Sequence, residues 1–267
     1  MRHLVLRYLK LWCAFFRNSL TRDMEFKANF ISQLFIDAIY YLSLYLFYYV
    51  IFQFTDRIGG FNQDIVIIFM VTTYMIDAIF EFFFSANIYS FNQMIVKGNL
   101  DFILTKPVNS QFLLSLRFVG FNGLVSFVIL LFLFFSLTEN YPHQNIPTLN
   151  YILFFISFAM GNLIWYSIDF MTHCLSFWFK NFSVAGWLSN NVKQFSMKPD
   201  TIYFGALRKI LFSFLPMAMI ASVPVRFLMY GFDVNLLISQ VVICVIFLMV
   251  ARHVWLRSLV QYESASS

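Results

Sequence analysis

The sequence predicts an all-α polytopic membrane protein with six transmembrane helices, and two observations carry that prediction. Of the 267 residues, 60% are hydrophobic, 37 are Phe and only 12% are charged, whereas soluble domains carry roughly 25% charged residues. The apolar residues also form blocks of about twenty, the length that an α-helix needs to cross roughly 30 Å of hydrocarbon. A β-barrel is excluded because it would show segments of about ten residues with alternating polarity.

Residues 1–28 predict an amphipathic helix that lies in the membrane interface. On a helical projection, aromatic and aliphatic side chains including Trp12 share one arc, and Arg7, Lys10 and Arg17 lie on the opposite one. Such a helix places its apolar face at the acyl boundary and its cations near anionic headgroups. The alternative is an ordinary amphipathic helix packed on other protein. Because cations are spread throughout this segment, we expect no cleavable signal peptide.

Six spans follow from the apolar blocks along the chain. They are predicted at about 29–52, 64–84, 116–137 and 151–170, with a fifth that starts near Thr172 and carries Lys180, and a last at 234–250. Lys and Arg favour cytoplasmic loops during membrane insertion. Placing both termini in the cytoplasm puts most of the 18 Lys and Arg residues on that side. The whole chain, 1–267, is expected to form a single transmembrane domain.

The stretch 172–231 departs from this regular pattern. Pro199, Pro216 and Pro224 interrupt its apolar runs, and the run 211–223 is too short to span a bilayer. We therefore expect the fifth span to be followed by an outer re-entrant region at 196–232, in which two short helices dip into the outer leaflet. Five cations would then lie outside, against the positive-inside tendency: Lys193, Lys198, Arg208, Lys209 and Arg226.

Four acids lie within the predicted spans, toward their cytoplasmic ends: Asp37, Asp77, Glu81 and Asp169. Asp37 and Asp77 each lie about 12 Å from that end, and Glu81 follows Asp77 by one turn on the same face. Ionisable groups are costly in hydrocarbon and are usually paired or functional there. One interpretation is therefore a cation or proton pathway. The other is ion pairing at the membrane surface with Arg17, Arg22 or Arg117.

Catalysis by this chain is not expected. Asp169 and His173 could share a helix face, but a third metal ligand is missing, and catalytic zinc sites usually supply three. The three cysteines are far apart, and no HExxH, GxSxG or Gly-rich phosphate-binding motif is present. We therefore expect no cofactor, no metal and no nucleic acid bound to this chain, and any ATP and Mg²⁺ would bind to another polypeptide.

A polar segment at 87–111 interrupts the apolar chain between the second and third spans. It carries an I-x-x-G-x-L-D-x-x-L-x-x-P string, and the C-terminal end carries W-x-x-x-L-x-x-Y-x-S. An SFWF run at 176–179, followed by a proline-bracketed region at 214–231, lies between them. In these features the chain resembles the ABC-2 type transporter permeases, in particular their small six-span family. The tail string is formed by Trp255, Leu259, Tyr262 and Ser264.

This resemblance implies a type V exporter-like fold and a permease subunit of an ATP-driven exporter in the cytoplasmic membrane of a prokaryote. Two permeases would pair, as a homodimer or with a related chain, and two separate ATPase subunits would bind to them. Residues 1–28 would form the connecting helix. The loop at 85–111 would carry the coupling helix, with Gly98 in a tight turn, Asp101 as a cap and Pro107 as a terminator. The implied ATPase-coupling residues are Ile95, Lys97, Gly98, Asn99, Leu100, Asp101, Leu104, Lys106 and Pro107.

No residue identifies the transported compound. The resemblance implies a route between spans one, two and five of the paired permeases, where a tyrosine-rich face would suit an amphipathic lipid, drug or peptide-like compound. The same rings are equally expected as packing residues or interfacial anchors. Two alternatives stay open: a solvated connector at 85–111, and a proton-coupled secondary transporter that uses the intramembrane acids. The tyrosines are Tyr40, Tyr41, Tyr45 and Tyr48.

Overall fold

A computed structural model describes residues 2–141, 146–179 and 184–262, and in these ranges the chain is helical with no β-strand. The all-α class predicted from the sequence is therefore confirmed. The α-helices are α1 Arg2–Glu25, α2 Lys27–Phe52, α3 Gln63–Phe80, α4 Ala86–Val96, α5 Asp101–Leu104, α6 Ser110–Leu116, α7 Phe121–Glu139, α8 Thr148–Cys174, α9 Ala185–Lys193, α10 Gly205–Phe212, α11 Ala218–Tyr230 and α12 Val234–Gln261.

Five helical stretches in the described part of the chain are long and apolar enough to cross a membrane: Lys27–Phe52, Gln63–Phe91, Phe121–Glu139, Thr148–Phe177 and Val234–Gln261. They coincide with the predicted first, second, third, fourth and last spans. The third begins later than predicted, because Gly120 takes an extended conformation just before α7. Five such stretches confirm a polytopic membrane protein.

The predicted fifth span near Thr172 is wrong as a continuous helix. α8 continues to Cys174, and a 3-10 turn then runs to Phe177. In the described residues between that turn and α12, only the short helices α9, α10 and α11 occur. Proline explains part of this division, since Pro199 precedes the 3-10 turn Asp200–Ile202 and Pro216 lies between α10 and α11. Lys180 lies outside the described residues.

The core of the bundle is formed by α3, α8 and α11. The span that contains α3 is 78% buried within the chain, whereas the α2 span is only 6% buried. Two glycines permit close helix contacts. A Cβ on Gly123 would lie 2.5 Å from the carbonyl oxygen of Ala78 in α3, and a Cβ on Gly161 would overlap the backbone of Ile220 in α11. Small residues of this kind bring helix backbones together in membranes, where packing rather than water exclusion drives association.

A π-helical turn, Glu81–Ser85, joins α3 to α4. Such turns leave backbone groups without their usual helical partners and occur frequently at functional sites. Here the Gly120 N–H donates to the carbonyl oxygen of Phe82 at 3.1 Å. The Asn87 amide donates to the carbonyl oxygen of Phe118 at 2.6 Å and accepts from the Phe118 N–H at 2.7 Å. The connection before α7 therefore holds the π-turn in place.

Asp200 ties together the segment between α9 and α12. Its carboxylate, which is fully buried, accepts hydrogen bonds from Arg226 at 2.6 Å and from Arg208 at 2.9 Å. Its backbone N–H donates to the Ser222 hydroxyl at 3.1 Å. Two of the five cations that conflicted with the positive-inside tendency are thus paired with one buried acid, which compensates part of their charge.

Candidate functional site

All four intramembrane acids predicted from the sequence line one cavity of about 170 Å³. Asp37 comes from α2 and Asp77 from α3, Glu81 from the π-turn and Asp169 from α8. The cavity therefore forms where α2, α3 and α8 meet, and α9 closes it with Asn190 and Lys193.

Lys193 is the cation of this cavity, and its role there was not predicted from the sequence. Its Nζ lies 2.6 Å from Oδ1 of Asp77. The same nitrogen lies 5.9 Å from the ring centroid of Phe80 and 5.6 Å from that of Trp165. Charge counting predicted an outer position for Lys193, because no local sequence signal shows that α9 packs on α8 and brings Lys193 beside Asp77.

The expected pairing of the acids with arginines at the membrane surface is wrong for Asp77, whose partner is Lys193. Arg22 instead pairs with its neighbour Asp23 at 3.0 Å. The Arg117 guanidinium lies over the ring of Phe118, 5.1 Å from its centroid. Arg22 also lies over the ring of Phe118, 5.4 Å from its centroid. Both arginines therefore meet at Phe118, and the acid cavity receives its cation from α9.

Asp37 and Asp169 have mainly uncharged partners. Asp37 accepts from Gln33 at 3.2 Å and from Ser126 at 3.3 Å. Asp169 accepts a short hydrogen bond from Ser189 of α9. As predicted, Asp169 and His173 share a face of α8, with 3.6 Å between Nδ1 and Oδ1. In the described ranges, no group of three or more His, Cys, Asp or Glu side chains is arranged to hold a metal ion.

Aromatic side chains form the remaining wall of the cavity. Of the four predicted tyrosines, Tyr40 and Tyr41 line it, together with Tyr89 and Trp165. Tyr48 is buried elsewhere in the core, and the ring of Tyr45 packs on Tyr49. Trp165 is only 2% exposed, and its indole Nε1 makes no hydrogen bond to any described residue. The cavity therefore retains an unused buried donor.

A second, larger cavity of about 440 Å³ lies beside the first, where α1 and α2 meet. It is lined by Arg22, Asp23 and Asn29 on one side and by Asn122 of α7 on the other. Glu81 lines both cavities. The π-turn thus places one carboxylate between the acid-lined cavity and the α1–α2 junction.

The segment 97–109 forms a compact turn around the short helix α5. Gly98 has a positive φ of 69°, which confirms the predicted tight turn. Asp101 is the first residue of α5 rather than its cap, because the capping position is occupied by Leu100. Pro107 lies in the connection after α5, which ends at Leu104 as predicted for a helix before a proline.

The predicted coupling residues divide into anchors and an exposed set. Leu100 is fully buried, and Ile95 and Leu104 pack against the core. Lys97, Asn99 and Lys106 are exposed. Phe102, which the sequence analysis did not single out, is 71% exposed in the middle of α5. Its only sequence signal was its place inside the DFIL string, between Asp101 and the buried Ile103.

Helix α1 holds this segment from one side. Arg7 Nη2 donates to the carbonyl oxygen of Pro107 at 3.0 Å, and the Asn109 N–H donates to the Tyr8 hydroxyl at 3.0 Å. The Trp12 ring lies 5.8 Å from that of Phe83 in the π-turn. Lys10 and Arg17 are exposed. The apolar face of α1 thus packs in part on its own chain.

The C-terminal end of α12 holds the same segment from the other side. Trp255 donates to the Ser110 hydroxyl at 3.3 Å, and Arg252 donates to Gln111 at 3.2 Å. Tyr262 lies beside the Asp101 carboxylate, and burial together with that carboxylate raises the pKa of the phenol to about 12. The Phe177 ring lies 6.0 Å from Trp255 and 5.9 Å from Tyr262. Ser264 lies outside the described residues.

Three strings that are far apart in the sequence therefore meet at one end of the bundle: the polar segment, the SFWF run and the tail. The family model described as ABC-2 family transporter protein matches residues 38–266. No curated protein and no solved structure matches the chain. Since the family match covers most of the sequence and the chain is an all-α polytopic membrane protein, it belongs to the ABC-2 transporter family, as a permease of an ABC transporter.

Proposed function

We propose that this chain is the membrane subunit of an ATP-driven exporter and that its segment 97–109 binds a separate ATPase. Two ATPase subunits would bind ATP and Mg²⁺, and two permeases would pair as a homodimer or with a related chain. In this proposal the complex lies in the cytoplasmic membrane of a prokaryote, with both termini and the segment 97–109 in the cytoplasm. The single observation that carries it is an exposed Phe102 on a segment fixed from two sides.

The shape of the segment suits a docking surface. Leu100 and Ile103 anchor α5 in the core, and this leaves Phe102 in solvent between the exposed cations Lys97 and Lys106. Aromatic residues that enter a partner's pocket contribute a large share of interface affinity. The flanking cations would favour an acidic rim around that pocket.

The segment is also tied to the membrane helices in a way that could transmit motion. The chain runs from α3 through the π-turn and α4 into the turn at Gly98. α1 contacts the segment through Arg7, and the C-terminal end of α12 contacts it through Tyr262, which lies beside Asp101. Trp255 of α12 also binds Ser110, the residue that directly follows the segment. A partner can bias two permease conformations only through contacts that differ between them. A movement of α5 would therefore be passed to the wall of the acid-lined cavity, which contains Asp77 and Glu81.

Replacing Phe102 with alanine tests the docking proposal. Because the side chain is exposed, we expect the variant to fold normally but to retain at least about fivefold less ATPase during co-purification, in line with an interface anchor. The measurement is the ratio of ATPase to permease after affinity purification from the native membrane. Phe54→Ala is the matched control, since Phe54 is 87% exposed in the loop after α2. Equal retention in both variants, or no ATPase with the wild type, would contradict the proposal.

A second candidate, a proton-coupled secondary transporter, is favoured by the convergence of four carboxylates in one cavity. Intramembrane acids of this kind form proton relays in pumps and transporters. Transport that continues without any ATPase, follows an imposed proton gradient and is lost in Asp77→Asn would support this candidate. Transport that requires ATP and a bound ATPase would exclude it.

A further inference from the structure

The ammonium group of Lys193 occupies an environment that recognises cations in general. Its Nζ contacts the Asp77 carboxylate at 2.6 Å and lies within 6 Å of the ring centroids of Phe80 and Trp165. A carboxylate combined with aromatic faces is the arrangement by which proteins bind organic ammonium ions. The cavity therefore already holds an alkylammonium, which is supplied by the chain itself.

The cavity has more carboxyl groups than this lysine can pair with. Asp37, Glu81 and Asp169 line it in addition to Asp77, and Lys193 is the only Lys or Arg among its described lining residues. His173 is next to Asp169 and faces its carboxylate. Carboxylates in a membrane bundle are costly without compensation. A second cation in the cavity would thus stabilise its carboxylates.

Two further observations point to a ligand. The indole Nε1 of Trp165, in a side chain that is 98% buried, has no partner among the described residues although Trp165 lines the cavity. Glu81 also lines the 440 Å³ cavity at the α1–α2 junction. Glu81 thus borders both the α1–α2 junction and the cavity that contains Asp77.

Lys193 is placed so that its ammonium group could move out of the cavity. It is the last residue of α9, which has nine residues, and the chain from 194 to 199 contains no α-helix. α9 contacts α8 through the hydrogen bond from Ser189 to Asp169. A change at Asp77, which Lys193 contacts, or at Asp169, which Ser189 contacts, would therefore alter the position of Lys193.

We propose that this cavity binds a small organic amine in its protonated form, with Lys193 as the competing internal cation. The incoming ammonium would take the place of Nζ between Asp77, Phe80 and Trp165. Glu81 would guide it from the neighbouring cavity, and the indole N–H of Trp165 would be available to a polar atom of the ligand. That such amines are the exported compounds rests on the proposed function, whereas their binding does not.

The test is equilibrium binding of benzylammonium to the purified full-length chain in lipid nanodiscs at pH 7, measured by calorimetry. Benzyl alcohol, of similar size but uncharged, is the ligand control. We expect saturable binding of benzylammonium only, weakened at least about tenfold in Asp77→Asn and strengthened about tenfold in Lys193→Met, as the carboxylate and cation–π contacts require. Asp64→Asn, the same change at an exposed position of α3, should bind as the wild type does.

A second pair of variants keeps the test valid if Asp77→Asn fails to fold. Glu81→Gln should weaken binding at least about threefold by removing a nearby charge, and Glu139→Gln, at the exposed end of α7, should not. The proposal is overturned by equal binding of benzyl alcohol, by no saturable binding in the wild type and Lys193→Met, or by lost affinity in Lys193→Met. Because no ATPase is present, this result is independent of the co-purification experiment with Phe102→Ala.

Discussion

Replacing Asp200 with alanine should lower the free energy of unfolding by about 3 kcal/mol. Removing one partner of a buried ion pair costs roughly 3–5 kcal/mol, since the remaining charge loses its compensation. The lower end applies here, because Arg208 and Arg226 are 42% and 24% exposed and water can solvate part of their charge. A loss of this size corresponds to a fall of about 6–12 °C in Tm. Thermal unfolding of the detergent-solubilised protein, followed by tryptophan fluorescence, measures it.

Two variants separate this effect from a general sensitivity to lost charge. Asp56→Ala removes the same group from an exposed position in the loop after α2 and should change the Tm little. Arg226→Met should be milder than Asp200→Ala, because Asp200 keeps its 2.9 Å contact with Arg208. If Arg226→Met were the more damaging change, the charge left on the buried Asp200, rather than the charges left on the two arginines, would dominate the loss of stability.

The helical spans were predictable because they depend on local composition. A block of about twenty apolar residues must form a helix in a bilayer, whatever its neighbours, since its backbone has no other hydrogen-bond partners there. This holds for α2, α3, α7, α8 and α12. It fails between α8 and α12, where polar residues and prolines divide the chain into short helices. The stability of these short helices depends on contacts such as those of Asp200, and such contacts cannot be predicted from the local sequence.

The candidate site shows the same division between local and tertiary information. Asp37, Asp77, Glu81 and Asp169 could be named from the sequence, because an acid inside an apolar block is unusual at any position. Their convergence on one cavity depends on how α2, α3, α8 and α9 pack. Lys193 was misassigned because charge counting treats each cation as solvated and cannot detect a carboxylate far away in the sequence.

More of the segment 97–109 than of the cavity could be predicted from the sequence. The turn at Gly98 was predicted correctly, and the capping role of Asp101 was wrong. Gly98 adopts the positive φ that the turn requires, a property of the residue type. Asp101 does not cap α5, because Leu100 precedes it and the carboxylate lies beside Tyr262 instead. Phe102 could not be distinguished from its neighbours, since four helical residues are too few to define an apolar face.

The second large effect is expected for Gly161→Ala in α8. A Cβ at this position would overlap the carbonyl oxygen of Ile220 and lie 3.2 Å from its carbonyl carbon and its Cα. These are backbone atoms, so no change of rotamer can relieve the overlap and α8 must separate from α11. Overpacking typically costs about 1–3 kcal/mol, and we expect the upper end, with a fall in Tm of at least about 6 °C.

The separation would also strain a buried polar contact that joins three helices. Gln240 of α12 donates to the carbonyl oxygens of Ser157 in α8, at 3.1 Å, and of Met219 in α11, at 2.9 Å. Both acceptors lie close along the chain to the glycine contact, on α8 and α11. Lengthening either hydrogen bond would leave a buried amide or carbonyl group unsatisfied, at a cost of about 1–3 kcal/mol. This coupling is the reason for expecting the upper end of the range.

Gly186→Ala is the matched control, because it makes the same change in α9 with a different consequence. A Cβ there would meet only Cε1 of Tyr89, at an ordinary contact distance of 3.8 Å. Alanine also favours helix over glycine by up to about 1 kcal/mol, so this variant should be as stable as the wild type or slightly more so. Similar losses of Tm in the two variants would mean that α8 and α11 are not in close backbone contact. Opposite shifts would show that α11 packs directly on α8.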